Sequence, residues 1–342
     1  MEEKVKIFRF LDEFHAENCV SYANIKKNLF DSNDVITISD LPFLPASLFK
    51  KMELFSVSRN NIFKTLFSSG TSGQSRSKIF LDKENAVNQI NSLVQIISEK
   101  IGKKRVPMLV LDSLTQTANR TSFSARGAGI LGFSIVGSKK FYALDGEMEI
   151  QSSEIKNFLK TEQKTKKFIY GFTSIIWEEI LEKLENNAKI LKDQKCILVH
   201  GGGWKKLSDL NISAEEFNSS VRRKLGPNIE IFEYYGMVEQ TGSIFMGCEE
   251  GYLHTNQFND IIIRDPDNLS LIENGEIGVI QSLTTLATSY PGFSILTEDL
   301  GVIYGNSEDQ TKCACGREGK FFKVLGRLPK SEIRGCSNTY GI

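Results

Sequence analysis

The run Ser68-Ser69-Gly70-Thr71-Ser72-Gly73-Gln74-Ser75-Arg76-Ser77-Lys78 is too dense in hydroxyls and glycine to be a regular element. It follows the apolar, strand-like Ile62-Phe63-Lys64-Thr65-Leu66-Phe67, so a strand delivers the chain into a loop. Glycine lets the backbone approach an anion closely and take positive φ. Hydroxyls and exposed N–H groups supply donors, and Arg76 and Lys78 supply charge. The blend suits a mobile loop that grips a nucleotide triphosphate and lets pyrophosphate go. A flexible Ser/Gly loop with no chemical task is the plainer reading. The Gly-x-x-x-x-Gly-Lys-Ser/Thr order of a Walker A loop is absent.

The elements around this loop alternate. Val5 to Ala16 has near-helical period. Leu41-Pro42-Phe43-Leu44-Pro45 forces an extended passage before Ser47-Leu48-Phe49-Lys50. Asp82 can cap a helix from Lys83 to Lys100. Buried-strand patterns recur at 106–111, 168–172 and 195–200, with a helix-like run from the second through Leu191. Such alternation implies a layered α/β fold with functional loops at strand ends. From residue 228 the strands are expected to shorten and turns to multiply, which divides the chain into α/β lobes over 1–227 and a mixed β subdomain over 228–342.

Composition narrows the function classes. The 342 residues are 40% hydrophobic and 25% charged, with 42 Lys+Arg balancing 42 Asp+Glu. That suits a soluble enzyme with a substantial core and offers no excess of cations to neutralise nucleic-acid phosphates. No apolar run reaches the ~18–20 residues of a membrane span, and no apolar signal core follows Met1, so the cytoplasm is the expected location. The six cysteines are scattered and do not form a disulfide framework.

Three more segments give the Ser/Gly loop a context. Val199-His200-Gly201-Gly202-Gly203-Trp204 ends a strand in glycines, where a flat base or ribose could lie on the backbone; a tight turn is the alternative. In Tyr234-Tyr235-Gly236-Met237-Val238-Glu239-Gln240, Glu239 offers an oxygen ligand for Mg²⁺, though a lone Glu is often only a solvated charge. In Thr297-Glu298-Asp299-Leu300-Gly301, Asp299 could accept hydrogen bonds from both hydroxyls of a ribose.

In this order the motifs resemble the adenylate-forming superfamily of acid ligases, and more closely the LuxE-type acyl-protein synthetases of bacterial luminescence fatty-acid reductase systems. The resemblance spans nearly the whole chain. Besides the segments above it includes Ser124-Ala125-Arg126-Gly127-Ala128, Lys323-Val324-Leu325-Gly326-Arg327 and Arg334-Gly335-Cys336-Ser337. It implies the N-terminal portion of an adenylate-forming fold, α/β lobes with a β-rich C-terminal subdomain and without the mobile C-terminal lobe. It also implies ATP and Mg²⁺ as cofactors and a carboxylic acid, of the fatty class, as substrate. The acid would attack the α-phosphate to give acyl-AMP and pyrophosphate.

Residue by residue, the resemblance assigns Ser69, Gly70, Thr71, Ser72, Gly73 and Lys78 to the phosphates. Gly201, Gly202, Gly203, Tyr235 and Gly236 fall to the adenine, Glu239 to Mg²⁺ with help from Thr71, and Asp299 and Arg327 to the ribose. Cys336 is the implied acyl acceptor, with Lys330 and Arg334 able to lower its pKa; an inert exposed cysteine is the alternative. An acyl reductase or another acyl-accepting protein is the implied partner, and a homo-oligomer is possible. An acid–CoA ligase and a non-catalytic nucleotide- or acyl-binding protein remain as other readings. Most of the superfamily continues past the Gly-Arg hinge into a lobe carrying a catalytic lysine, whereas fifteen residues follow Arg327 here. Adenylation would then proceed without that lysine, obtain it from a partner, or use an internal cation such as Lys78, Lys205 or Lys206. Phe123, Ile130, Phe133, Phe172 and Trp177 could line an acyl pocket or belong to the core.

A metal site is also indicated. Cys248 and His254 stand in a Cys-x₅-His spacing, and Cys313 and Cys315 form a Cys-x-Cys pair. Three thiolates and one imidazole complete a tetrahedral zinc set with no open position, which makes it structural. Ordinary buried cysteines with a surface histidine are the alternative.

Overall fold

A computed structural model describes residues 2–30, 35–68, 76–117, 125–161, 166–192, 194–202, 207, 210, 212–309 and 311–328. Two compact units are present, one made of Met1–Ser92 with Gly236–Ile342 and the other of Leu93–Tyr235.

The unit 93–235 is built on parallel strands in the order Gly137–Leu144, Val106–Ser113, Lys167–Phe172, Cys196–Gly201, Ile229–Tyr235. The central strands are continuous apolar runs because both faces are covered, the usual pattern of parallel sheets. Leu109, Ile169 and Leu198 meet Phe158, Phe217 and Val221 in one core, the last three supplied by the helices Ser152–Leu159 and Ala214–Lys224. Ser213 caps the second of these by accepting the Glu216 N–H at 3.1 Å. The helical run expected through Leu191 stops sooner. After Thr173–Ile175 the chain widens into a π-turn over Ile176–Leu181, with Glu182 N–H donating to the Trp177 carbonyl. Beyond it Asn187, Lys189 and Lys192 take positive φ, and Leu191 N–H donates to the Leu225 carbonyl at 2.8 Å. Local period could not show that this segment pairs with a distant turn.

The other unit is mainly antiparallel. Strands Asn259–Arg264, Gly278–Thr284, Ser294–Asn306 and Lys320–Arg327 pair in sequence, and Leu44–Pro45 lies parallel to Ile295–Leu296. The strands do not shorten here as expected: Ser294–Asn306 runs for 13 residues, bent by two irregularities in its pairing with Lys320–Arg327. A hairpin of Lys64–Phe67 with Lys78–Leu81 carries the Ser/Gly loop at its tip. The Lys83–Ile101 helix opens on the expected cap, Asp82 accepting the Asn85 N–H at 2.7 Å.

Helices Glu2–Asn18 and Val20–Leu29 place Phe8, Leu11 and Tyr22 in a core with Phe49, Tyr290 and Phe293. His15 pins them there. Its Nε2–H donates to the Ala287 carbonyl at 2.9 Å, leaving Nδ1 to accept from the Ser56 hydroxyl at 2.7 Å. Burial lowers its pKa to about 4, so the ring is neutral in the fold.

Candidate active site

Glu239 sits in a single 3₁₀ turn, Val238–Gln240, that the rest of its unit clamps. The buried Gln240 donates to the carbonyls of Ser282 at 3.0 Å and Gly292 at 2.9 Å, and accepts from the Ser282 hydroxyl at 2.6 Å. The Tyr290 hydroxyl donates to the Glu239 carbonyl at 2.7 Å. Gly242 closes the turn with φ +84°, and a Cβ there would lie 2.5 Å from the Gln89 carbonyl oxygen. Glycine is therefore required on two counts, backbone conformation and space.

Glu239 is only 8% exposed. Burial raises its pKa, opposed by the nearby Ser77 hydroxyl and by the charges of Lys50 and Arg327. A buried carboxylate beside a hydroxyl, with its backbone fixed from three sides, suits a hard divalent cation that binds through oxygen.

Asp299 and Arg327 are cross-strand partners, with Arg327 Nε donating to Asp299 Oδ1 at 3.2 Å. Thr297 orders that end of the strand by donating to the Ile280 carbonyl and accepting the Asp299 N–H. Glu239, Asp299 and Arg327 thus share one unit, and the Arg327 charge is felt at Glu239. Lys78 is placed differently. Its Nζ pairs with one oxygen of Glu53 at 2.9 Å, and Arg59 takes the other at 2.9 Å. The base of the Ser/Gly loop is closed by Ser68 N–H to the Ser77 carbonyl and Ser77 N–H to the Ser68 hydroxyl. Ser69, Gly70, Thr71, Ser72 and Gly73 lie outside the described residues, as do Gly203, Lys205, Lys206, Lys330, Arg334 and Cys336.

In the other unit, Gly201 ends its strand and Gly202 follows with φ +71°. A Cβ on Gly201 would lie 2.5 Å from the Tyr234 carbonyl oxygen, so the neighbouring strand itself uses that space. Tyr235 is half-buried at the end of that strand, and Gly236 opens the first unit, close to Ile244. His200 bonds Thr173 at 2.9 Å, and complete burial lowers its pKa to about 3.

Of the acyl-pocket candidates, Ile130 and Phe133 are buried, and Phe133 stacks on Tyr170 at 4.2 Å, whose hydroxyl meets that of Tyr234 at 3.0 Å. They are packing residues. Phe172 and Trp177 are half-buried, the latter donating to Glu182, and Phe123 lies outside the described residues. Arg126 of the Ser-Ala-Arg-Gly-Ala segment grips the buried Asp112 with two bonds of 2.5 Å.

The four expected metal ligands come together. The ligand atoms of Cys248, His254, Cys313 and Cys315 all lie within 4.8 Å of one another. Cys248 Sγ is 3.9 Å from Cys313 Sγ, and Cys315 Sγ is 3.4 Å from His254 Nε2. A tetrahedral zinc would set those edges at about 3.8 and about 3.5 Å. Two tight turns aim the thiols. Cys248 N–H bonds the Tyr252 carbonyl around Gly251, and Gly316 N–H bonds the Cys313 carbonyl. Both Gly251 and Gly316 have positive φ. Burial raises the Cys248 pKa and pushes Cys315 up to about 12, so thiolates here call for a cation.

Sequence reasoning missed Ser77, Lys50, Glu53, Gln240 and Tyr290 as parts of the site. Ser77 was in the Ser/Gly run and Lys50 in the Ser-Leu-Phe-Lys segment, but nothing local marks which side chain faces Glu239.

A model of the family described as "Acyl-protein synthetase, LuxE" matches residues 1–341. The chain is 22% identical over 342 residues to the long-chain-fatty-acid–luciferin-component ligase of Aliivibrio fischeri, covering 98% of this chain and 87% of that protein. The Vibrio harveyi ligase of the same name is 21% identical over 334 residues, covering 95% and 84%. Among solved structures, an open form of 2-hydroxyisobutyryl-CoA ligase with 2-HIB-AMP and CoA aligns with TM-score 0.69 at 15% identity, covering 96% of this chain and 75% of that one. ATP-bound MatB from Rhodopseudomonas palustris aligns with TM-score 0.50 at 13% identity, covering 80% and 49%. The fold is that of adenylate-forming ligases.

Proposed function

Because this chain belongs to the LuxE family of acyl-protein synthetases, we propose that it activates a carboxylic acid, of the long-chain class its relatives are named for, with ATP and passes the acyl group to a thiol. A carboxylate oxygen attacks the α-phosphorus, the bond to the bridging oxygen breaks, and pyrophosphate leaves. The resulting acyl-AMP then yields its acyl group to Cys336 or to a partner protein such as an acyl reductase, releasing AMP. The supporting observation is Glu239, a carboxylate buried and clamped at its backbone while cations act on it from Lys50 and Arg327.

The residues divide the task. Glu239 holds the divalent cation, which when bound supplies charge neutralisation for the phosphates. Asp299, held in place by Arg327, accepts from the ribose hydroxyls, and Arg327 lends charge. Ser69, Gly70, Thr71, Ser72 and Gly73 cradle the β and γ phosphates with Lys78, whose charge is paired with Glu53 when no nucleotide is bound. Gly201, Gly202, Gly203, Tyr235 and Gly236 serve the adenine. Catalysis on this reading is mainly in-line positioning and charge neutralisation. Cys248, His254, Cys313 and Cys315 hold a structural zinc that braces the start of the Arg327 strand.

Acid-dependent exchange of labelled pyrophosphate into ATP tests the first half-reaction. Exchange with one or more acids of a chain-length series is expected, and silence with all of them in the presence of Mg²⁺ overturns the reading. Label retained on the protein after denaturation, and lost in Cys336→Ser, would place the acceptor; release of an acyl-CoA would instead favour a CoA ligase.

A further inference from the structure

The Ser77 hydroxyl is fully buried, and no partner among the described residues lies at ordinary hydrogen-bond distance from it, the Glu239 carboxylate being near but not in a full bond. A hydroxyl in that state has lost its bonds to water and is incompletely compensated unless another partner arrives. Its neighbour is known. The segment at Ser289 and Tyr290 ties two elements together, the Ser289 hydroxyl donating to the Phe80 carbonyl and the Tyr290 hydroxyl to the Glu239 carbonyl. The Lys78–Leu81 strand is thereby held beside the Glu239 turn, and the Ser77 hydroxyl just before it lies close enough to the carboxylate to favour its charge. Ser77 is itself held by backbone: its N–H donates to the Ser68 hydroxyl and its carbonyl accepts the Ser68 N–H.

We propose that Ser77 is the second protein oxygen, beside Glu239, through which this chain holds a divalent cation. The inference rests on the reading of Glu239 as the cation's carboxylate and adds to it a residue that the motif did not assign. It also gives the Ser/Gly loop a role at its base as well as its tip. A cation bound by Ser77 and Glu239 fixes the Ser68–Ser77 closure against the clamped turn, so cation binding and loop position are linked.

The test titrates Mn²⁺ into the full-length protein with ATP present and reads free Mn²⁺ by electron paramagnetic resonance, which needs no turnover. Wild type, Glu239→Gln, Ser77→Ala and Ser77→Cys are compared, each checked for a native melting transition. The proposal expects Mn²⁺ affinity weakened on the order of tenfold in Ser77→Ala. Ser77→Cys should gain relative preference for the thiophilic Cd²⁺ over Mn²⁺, a change a merely structural serine would not produce. If Glu239→Gln weakens Mn²⁺ binding while Ser77→Ala matches wild type and Ser77→Cys shows no shift toward Cd²⁺, Ser77 is not a ligand and the reading of Glu239 stands. If neither Glu239→Gln nor Ser77→Ala alters Mn²⁺ binding, both fall.

Discussion

Two regions of one unit, the Glu239 turn and the cluster of Cys248, His254, Cys313 and Cys315, gather buried groups that a cation would satisfy. They do so in opposite ways. At the turn the group on offer is a carboxylate oxygen, and its backbone is fixed by Gln240 and Tyr290. At the cluster three thiols on two tight turns and the imidazole of a strand histidine gather within 4.8 Å, two of their pairs at the spacing of a tetrahedral set, and four such ligands would leave no position for substrate. The first arrangement suits an ion shared with a nucleotide, and the second an ion that holds structure. A single clamped carboxylate leaves an ion positions for other ligands; a closed thiol set does not.

Removing a ligand from each region breaks the comparison most sharply. Cys313→Ala should cost more than about 4 kcal/mol of stability, the range of a lost metal site. About one equivalent of zinc should disappear with it, measured by metal analysis beside denaturant melts. A variant that keeps wild-type stability and metal content would contradict the bracing role. Glu239→Gln should instead keep the fold and its zinc while acid-dependent pyrophosphate exchange falls about 10²–10³-fold, the loss typical of one electrostatic stabiliser. A drop in melting temperature as large as that of Cys313→Ala would erase the distinction.

Acid supplies the background against which both must be read. His15 belongs to neither region, and burial sets its pKa at about 4 against 6.5 in the unfolded chain. Because folding keeps the neutral ring, its contribution is complete above about pH 6.5 and is lost as pH falls toward 4, at most about 3 kcal/mol. Chemical denaturation at a series of pH values should show that loss in apo and metal-loaded protein alike. A stability flat over this window would mean that His15 is not buried as described. The smallest stability effect is expected at Arg327, whose side chain is 65% exposed in its pair with Asp299. Arg327→Ala should change stability by less than about 1 kcal/mol yet raise the KM for ATP; a KM unchanged beside wild-type stability would remove Arg327 from the nucleotide site.

Much of this was legible locally. The strands at 106–113, 167–172 and 196–201 announce themselves as apolar runs, and Asp82 caps the helix it was expected to cap. The metal set could be read because cysteine and histidine are scarce and chemically distinctive. What stayed hidden was tertiary. That the first helices share a core with Tyr290 and Phe293 depends on contacts hundreds of residues apart. The approach of Tyr234 to Gly201 depends on strand pairing that local pattern does not show, and an absent Cβ reads the same whether a base or a strand fills the space. Ile130 and Phe133 looked equally fit for pocket or core, since hydrophobicity does not say what a side chain will face. Lys78 had a visible charge, but its partner Glu53 lies in an unremarkable stretch of sequence.

The central claim concerns which bond is made first, and labelled oxygen follows that bond directly. The acid is supplied with both carboxyl oxygens as ¹⁸O, together with ATP, Mg²⁺ and the thiol acceptor, and the nucleotide products are weighed by mass spectrometry. Attack on the α-phosphorus predicts AMP carrying one ¹⁸O atom, delivered when the acyl group departs. Label found in inorganic phosphate with ADP as the nucleotide product, or AMP formed without label, would contradict it.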